Sequence, residues 1–313
     1  MTGRVAITGG AGFLGTALAR RLRSGGDEVC LLDLPDRLAA VADLLVGIET
    51  RPFAFPDITG IEQALAGATA LVHMACTTTP ASSMTDMARD AAQNIAPSVA
   101  IFQAAGHAGI SRVIFASSGG TVYGDPKSLP VPENAAGGAL SGYGVSKLAI
   151  ENYLRLVAGK AGFTGISLRI GNPYGPFQLR GATVGVIANY LRHIHAGHAP
   201  EVWGDGSVVR DYIHIDDVTS AIRIALATPE LSSGSYNIGS GVGHSINDIF
   251  AAIRRVTGTD LALRYKPARG FDVDAIVLDT TEFRRMTRWA PRVELETGIA
   301  ELWNILQERK ESE

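Results

Sequence analysis

The stretch Val5-Ala6-Ile7-Thr8-Gly9-Gly10-Ala11-Gly12-Phe13-Leu14-Gly15 decides how this chain is read. The apolar run at its start, rich in β-branched residues, describes a short strand beginning at about Arg4. A cluster of glycines follows, and an amphipathic helix is expected from about Phe13 to Arg23. Strand, glycine loop and helix in that order let a ligand come close to the backbone and meet the free amides of a helix N-terminus. That arrangement suits the pyrophosphate of a dinucleotide.

The same alternation continues outward. Glu28-Val29-Cys30-Leu31-Leu32, Ala70-Leu71-Val72-His73-Met74 and Arg112-Val113-Ile114-Phe115-Ala116 read as strands, and a long helix is expected over about Met87 to His107. Strands separated by helices imply an α/β fold, a Rossmann-like doubly wound parallel sheet with helices on both faces. After about Leu168 the texture changes at Asn172-Pro173-Tyr174-Gly175-Pro176. We expect a dinucleotide-binding domain over 1–167, a return segment at about 216–240, and a smaller C-terminal α/β substrate lobe making up most of 168–313. Ser207 to Ile215 reads as loop and strand, Asp217 to Ala227 as a helix, and the end of the chain as mostly helical.

Asp33 ends the second strand, where a carboxylate accepts hydrogen bonds from the ribose hydroxyls of an adenosine. It also repels a 2′-phosphate, which favours NAD over NADP, although Arg37 lies close by.

Bulk properties narrow the classes. The chain has 313 residues, 46% hydrophobic and 19% charged, with 36 glycines, as expected of a compact protein with many tight backbone positions. A net charge of -3 with scattered lysines and arginines offers no basic field for nucleic acid. Cys30 and Cys76 lie in or just after apolar strands, which argues against a disulfide scaffold and for a reducing cytoplasm. No charged leader precedes the first strand, and no uncharged apolar run approaches the ~18 residues a membrane span needs, so neither export nor a membrane span is expected.

Ser141-Gly142-Tyr143-Gly144-Val145-Ser146-Lys147 carries the chemistry. Tyrosine and lysine four residues apart share a helix face, so the ammonium can lie beside the phenol. A phenol titrates near ~10, too high for a base at neutral pH, but a fixed cation and a nearby nicotinium favour the phenolate. Tyr143 is therefore the candidate proton acceptor for an alcohol being oxidised, and Lys147 the residue that tunes it.

Taken together, Thr8–Gly15, Phe55–Ile58, Leu71–Cys76, Ser117–Gly124, Tyr143–Lys147, Arg169–Pro176, Trp203–Asp217 and Phe271–Thr280 resemble the extended short-chain dehydrogenase/reductase family. The resemblance is to its NAD-dependent nucleotide-sugar epimerase and dehydratase branch, above all the UDP-glucose and UDP-N-acetylglucosamine 4-epimerases. It implies that Gly9, Gly12, Phe13, Leu14 and Gly15 hold the pyrophosphate of NAD, Asp33 the ribose, and Asp57 with Ile58 the adenine. Ala75 and Cys76 would line the dinucleotide cleft, and Tyr143 and Lys147 would reach the nicotinamide end. Asn172, Arg210 and Arg269 would bind the diphosphate of a nucleotide sugar, probed for by guanidinium forks that match phosphate oxygens.

Many 4-epimerases carry a third serine or threonine where this chain has Gly119, so the resemblance shifts the catalytic hydroxyl to Ser118, with Ser117 as the spare on the substrate side. Dehydratases of the branch place acids just after their catalytic threonine, whereas this chain has Gly119-Gly120. Hydride transfer and proton relay remain, which is the inventory of a 4-epimerase or of a keto-sugar reductase. A dehydratase and a non-catalytic nucleotide-binding protein are more distant readings. A residue near Ile276 would gate an N-acetyl group. Family members pair as homodimers along the helices of Met87–His107 and Tyr143, so Ile95, Val99, Phe102, Leu148 and Leu154 are candidates for that contact or for facing the sheet. The histidines show no metal-ligand spacing.

Overall fold

The alternation becomes a sheet whose two faces are both buried. A computed structural model describes residues 3–135, 137–180, 185–267 and 273–311. The strands are β1 (Arg4–Thr8), β2 (Glu28–Asp33), β3 (Glu49–Pro52), β4 (Ala68–His73), β5 (Arg112–Ser118), β6 (Thr164–Ile170) and β7 (Asn172–Tyr174). They continue with β8 (Glu201–Trp203), β9 (Val209–His214), β10 (Gly234–Ile238), β11 (Gly243–Ser245), β12 (Arg264–Lys266) and β13 (Ala275–Ile276). The helices are α1 (Phe13–Ser24), α2 (Pro35–Ala40), α3 (Ile61–Ala64), α4 (Pro80–Thr85), α5 (Met87–His107) and α6 (Gly142–Ala161). After them come α7 (Val186–His195), α8 (Ile215–Ala227), α9 (Ile246–Thr257), α10 (Thr281–Thr287) and α11 (Leu295–Glu311).

The main sheet has the order β10-β6-β5-β4-β1-β2-β3, and every neighbouring pair is parallel. The order reverses at β1, so a crevice opens between β1 and β4 at the carboxyl ends of the strands. Alternate strand residues serve opposite faces. Val5 and Ile7 join Leu18 and Leu22 of α1 and Val218 and Ile222 of α8 on one side. Ala6 joins Ile101 and Phe102 of α5 and Ile150 and Leu154 of α6 on the other. The inner strands β1, β4 and β5 are thus largely apolar on both faces because each face meets helices, whereas the edge strand β3 is polar and mostly exposed. Truncating a fully buried residue such as Leu18 or Leu22 to alanine should cost about 2–5 kcal/mol.

The fold class is the one expected, and the first strands and helices match their expected bounds closely. The fourth strand runs Ala68–His73 rather than 70–74, and just past its end Met74 N–H still donates to Thr8 O of β1 at 3.0 Å. The return to the sheet is made by β10, parallel to β6, after α8 has packed beside α1. A second sheet has β9 at its centre, bonded to β7, β11 and β13, and α7, α9 and α11 share a separate apolar cluster with Tyr174 and Tyr212. Of the apolar residues considered for pairing two copies, Phe102 and Leu154 are buried against the sheet, and Ile95 packs beside them. The exposed apolar residues of those helices are Met87, Val145, Tyr153 and Leu156.

Candidate active site

The glycine loop meets β4 at the crevice. Gly9 has φ +72°, and a Cβ there would lie 2.8 Å from Ala75 N. At Gly15 a Cβ would lie 2.4 Å from Gly9 O, so helix and loop pack backbone to backbone. Gly12 caps α1 with no side-chain hydrogen bond, which leaves the first amides of the helix facing the cleft for a ligand. Asp33 is buried at the end of β2, where its Oδ2 accepts from Ala11 N at 2.9 Å and its Oδ1 from Leu34 N at 2.8 Å. It therefore anchors the loop and keeps lone pairs for a ribose.

A cleft of about 860 Å³ runs from this loop across the carboxyl ends of the strands. Of the expected site residues, Gly9, Gly12, Phe13, Leu14, Gly15, Cys76, Ser118, Tyr143, Asn172 and Arg210 line it. Ala75 lies against Gly9 at its edge. Asp57 and Ile58 are exposed beyond β3, and Thr59 holds the Asp57 carboxyl below its ordinary pKa, first by its backbone N–H and then by its hydroxyl. Arg269 lies outside the described residues. The glycines, the uncapped helix and the elongated cleft together fit a dinucleotide.

On α6, Ser141 caps the helix by accepting from Gly144 N at 3.2 Å, which sets the first turn that carries Tyr143. The Lys147 ammonium is buried, donates to Ala116 O at 2.8 Å, and sits 5.3 Å from the Tyr143 ring centroid and 4.6 Å from that of Phe115. Burial pushes the Tyr143 phenol well above its ordinary value, and the Cys76 thiol and the Asp90 carboxylate add to the rise. Burial likewise lowers the Lys147 ammonium, opposed by Cys76, Glu151 and Asp90. Burial and these neighbours thus favour the protonated phenol.

A chain of buried hydrogen bonds ties this helix to the loop. Asp90 Oδ2 accepts from Ser146 Oγ at 2.6 Å, and its Oδ1 accepts from Thr78 Oγ1 and, at 3.2 Å, from Asn94 Nδ2. Ser98 donates to Asn94 O at 2.6 Å, so its oxygen accepts from His73 Nε2 at 2.9 Å, and His73 Nδ1 must accept from Thr8 Oγ1 at 2.6 Å. This assigns a neutral, Nε2-protonated imidazole, in keeping with a pKa that burial and then Lys147 push down to about 3.

The hydroxyls after β5 separate. Ser118 lines the cleft, whereas Ser117 turns away and donates to Glu151, the partner of Arg169. The reason is the strand's two-residue alternation, which sends adjacent side chains to opposite faces. A side chain at Gly119 would lie 2.5 Å from Leu278 Cδ1 and 3.0 Å from Arg169 O, so the position has no room for one. Ile276 is buried in a cluster with Val122, Tyr123, Val131 and Leu278 and does not line the cleft, whereas Val273 of the same segment does. Arg37, noted beside Asp33 in the sequence, lines it too, and so do Thr121, Phe177 and Gln178, which were not singled out there. Thr121, at least, lay inside a motif already noted. Among the described residues no three His, Cys, Asp or Glu side chains gather to hold a metal ion.

The pattern of the NAD dependent epimerase/dehydratase family matches residues 5–239. The chain belongs to that family. Within it, a UDP-glucose 4-epimerase of Mycolicibacterium smegmatis is 32% identical over 304 residues, covering 95% of this chain and 96% of the relative. A dTDP-4-dehydro-6-deoxyglucose reductase of Escherichia coli is 30% identical over 304 residues, covering 95% and 96%. The crystal structure of a Thermotoga maritima UDP-glucose 4-epimerase with UDP-glucose superposes with a TM-score of 0.90 at 30% identity, covering 98% of this chain and 99% of that one. The cofactor of the family is NAD.

Proposed function

We propose that the protein is an NAD-dependent nucleotide-sugar 4-epimerase. The observation that carries the reading is that Tyr143, with the buried Lys147 ammonium behind its ring, lines one cleft with the glycine loop, where Gly119 and Gly120 take the place of the acids a dehydratase would need. Likeness over nearly the whole chain to the mycobacterial and Thermotoga UDP-glucose 4-epimerases supports it.

When bound, NAD supplies the hydride acceptor and returns the hydride. Gly9, Gly12, Phe13, Leu14 and Gly15 hold its pyrophosphate, Asp33 its ribose, Asp57 and Ile58 the adenine end, and Ala75 and Cys76 the wall of its cleft. Tyr143 takes the proton from the sugar C4 hydroxyl and later gives it back, and the Lys147 ammonium favours the phenolate in between. Ser118 hydrogen-bonds to the substrate oxygen, and Asn172, Arg210 and Arg269 take the diphosphate. Ser117, bonded to Glu151, serves the substrate wall from behind. UDP-glucose and UDP-galactose, or their N-acetyl forms, are the proposed substrates. Residues 1–167 and 216–240 would bind the cofactor and most of 168–313 the sugar nucleotide.

Purified protein given UDP-galactose or UDP-N-acetylgalactosamine without added reductant should form the C4 epimer, resolved by chromatography. A keto-sugar reductase is the second reading, favoured by the likeness to the Escherichia coli reductase. Consumption of a 4-keto sugar nucleotide that requires NADPH, with no epimerisation, would establish it instead.

The working form we propose is a cytoplasmic homodimer. Exposed Met87 on α5 and Val145, Tyr153 and Leu156 on α6 supply an apolar strip for pairing. Sedimentation of Leu156→Glu as a monomer, beside a dimeric parent, is the expected outcome. The free thiols of Cys30 and Cys76 suit a reducing compartment, and no described helix is long and apolar enough to cross a membrane.

A further inference from the structure

We propose that the Arg37 guanidinium receives the 2′-phosphate of NADP(H), so that the cofactor end of the cleft takes NADP(H) as well as NAD. The inference concerns the cofactor alone, goes beyond the epimerase reading and does not depend on it.

Among the described residues that line the cleft, Arg37 and Arg210 are the only charged side chains. They stand on different walls. Arg210 lies on β9, which pairs with the Asn172 strand β7, and the sugar-nucleotide diphosphate falls to it in the reading above. The dinucleotide pyrophosphate has the first amides of α1, on which the Gly12 cap spends no side chain. Arg37 is left over, since no hydrogen bond or ion pair engages it among the described residues. An unpaired guanidinium in a cleft without carboxylates on its walls is a receiver for a further phosphate.

Local structure aims it at the adenosine. Asp33 closes β2, and α2 opens two residues later at Pro35. Leu38 turns into the core, whereas Arg37, Ala40, Val41 and Leu44, at helical spacing, face the cleft. Arg37 is therefore the first side chain of that wall beyond Asp33, and its three companions are apolar.

A free carboxylate at Asp33 would repel a 2′-phosphate, but this one is engaged. It is buried, and both of its oxygens accept backbone N–H groups, Oδ2 from Ala11 at 2.9 Å and Oδ1 from Leu34 at 2.8 Å. Those amides hold the carboxylate toward the loop and offset part of its charge. A ribose hydroxyl still finds lone pairs on Asp33, so NAD binds as before, and a phosphate in that hydroxyl's place is met by the guanidinium one helical turn farther on.

The test is calorimetric binding of NAD⁺, NADP⁺, AMP and adenosine 2′,5′-bisphosphate to the parent, Arg37→Gln and Arg37→Lys. Where nucleotide copurifies with the protein, the same affinities are read by competition against it. The parent should hold NADP⁺ within about tenfold of NAD⁺. Arg37→Gln should lose about 10- to 50-fold for NADP⁺ and the bisphosphate, while NAD⁺ and AMP change by less than about twofold and the unfolding temperature does not move. Arg37→Lys should restore part of the loss, because it keeps the charge without the fork. A parent that binds NADP⁺ more than about 100-fold more weakly than NAD⁺ would overturn the proposal. So would an unchanged NADP⁺ affinity in Arg37→Gln, or equal losses for both cofactors, which would put Arg37 on the pyrophosphate that they share. No sugar enters these measurements, so a protein that epimerises nothing yet shows the selective loss refutes the epimerase reading and supports this one.

Discussion

Two buried carboxylates flank α6, and they are neutralised differently. Glu151 faces Arg169, whose Nη2 lies 2.7 Å from Glu151 Oε2, and both oxygens also accept from serines, Ser117 and Ser235. Arg169 in turn donates at 2.9 Å to Tyr123 OH, and Tyr123 donates to Asn237 at 2.6 Å, so the cluster joins β5, α6, β6 and β10 with its charges matched. Asp90 is held by Ser146, Thr78 and Asn94, neutral donors all, and takes part in no salt bridge among the described residues. The first carboxylate is a fastening whose charge is compensated. The second has no guanidinium beside it and acts on both Tyr143 and Lys147, whereas Glu151 acts on Lys147 alone of the two. Two acids equally deep in one protein thus do different work, according to whether a cation stands beside them.

The proton chemistry belongs to the Asp90 end. Tyr143→Phe should therefore lower turnover by about 10²- to 10⁴-fold with nucleotide affinity little changed, as read by steady-state kinetics and calorimetry. Near-normal turnover would remove the phenol as base and with it the contrast between the two ends.

Removing the compensated acid should act on stability instead. Glu151→Ala leaves the Arg169 guanidinium mostly buried without its counter-ion, for an expected loss of about 3–5 kcal/mol in urea unfolding. A loss below about 1 kcal/mol would mean that Arg169 finds water and that the two carboxylates are not so different.

Asp90→Asn keeps the shape, replaces one acceptor oxygen with an amide donor that the Ser146 hydroxyl can accept, and deletes the charge. Because Asp90 raises the Tyr143 pKa, its removal should ease ionisation and move the acid limb of the activity profile to lower pH. An unmoved limb with lowered stability would make Asp90 a fastening like Glu151.

The most gradual effect lies farther along the Asp90 chain of hydrogen bonds, at His73. Its native pKa is pushed down to about 3 from an ordinary 6.5. Between those values the unfolded chain binds a proton that the native state refuses. Stability should therefore decline as pH falls from about 6.5 toward 3, by no more than ~1.4 kcal/mol per pH unit from this group. The slope in that window should flatten in His73→Gln, and an imidazole seen to titrate near neutral pH by NMR would contradict the neutral tautomer.

The strands and helices of the first half were readable because their signals are local. β1, the glycine loop and α1 occupy one contiguous run, and Tyr143 and Lys147 lie four apart on one helix, so spacing alone brings them together. The substrate side was less legible. Asn172, Arg210 and Val273 reach one cleft from separate segments, and residues as near in sequence as Ser117 and Ser118 part company because a strand turns them to opposite faces. Ile276, near the expected gate, packs instead with Val122, Tyr123, Val131 and Leu278, which distant segments bring to it.

Composition, periodicity and the glycine run by themselves determined a doubly wound sheet with a dinucleotide loop at its first crossover, since strand and helix periods and free helix amides are properties of contiguous chain. Only the tertiary structure decided which buried acid is paired with a guanidinium, which hydroxyl goes unpaired, and that Leu278 closes the space beside Gly119. Those depend on what residues distant in sequence bring to within a few ångströms, where desolvation and hydrogen bonding act and no sequence pattern records the distance.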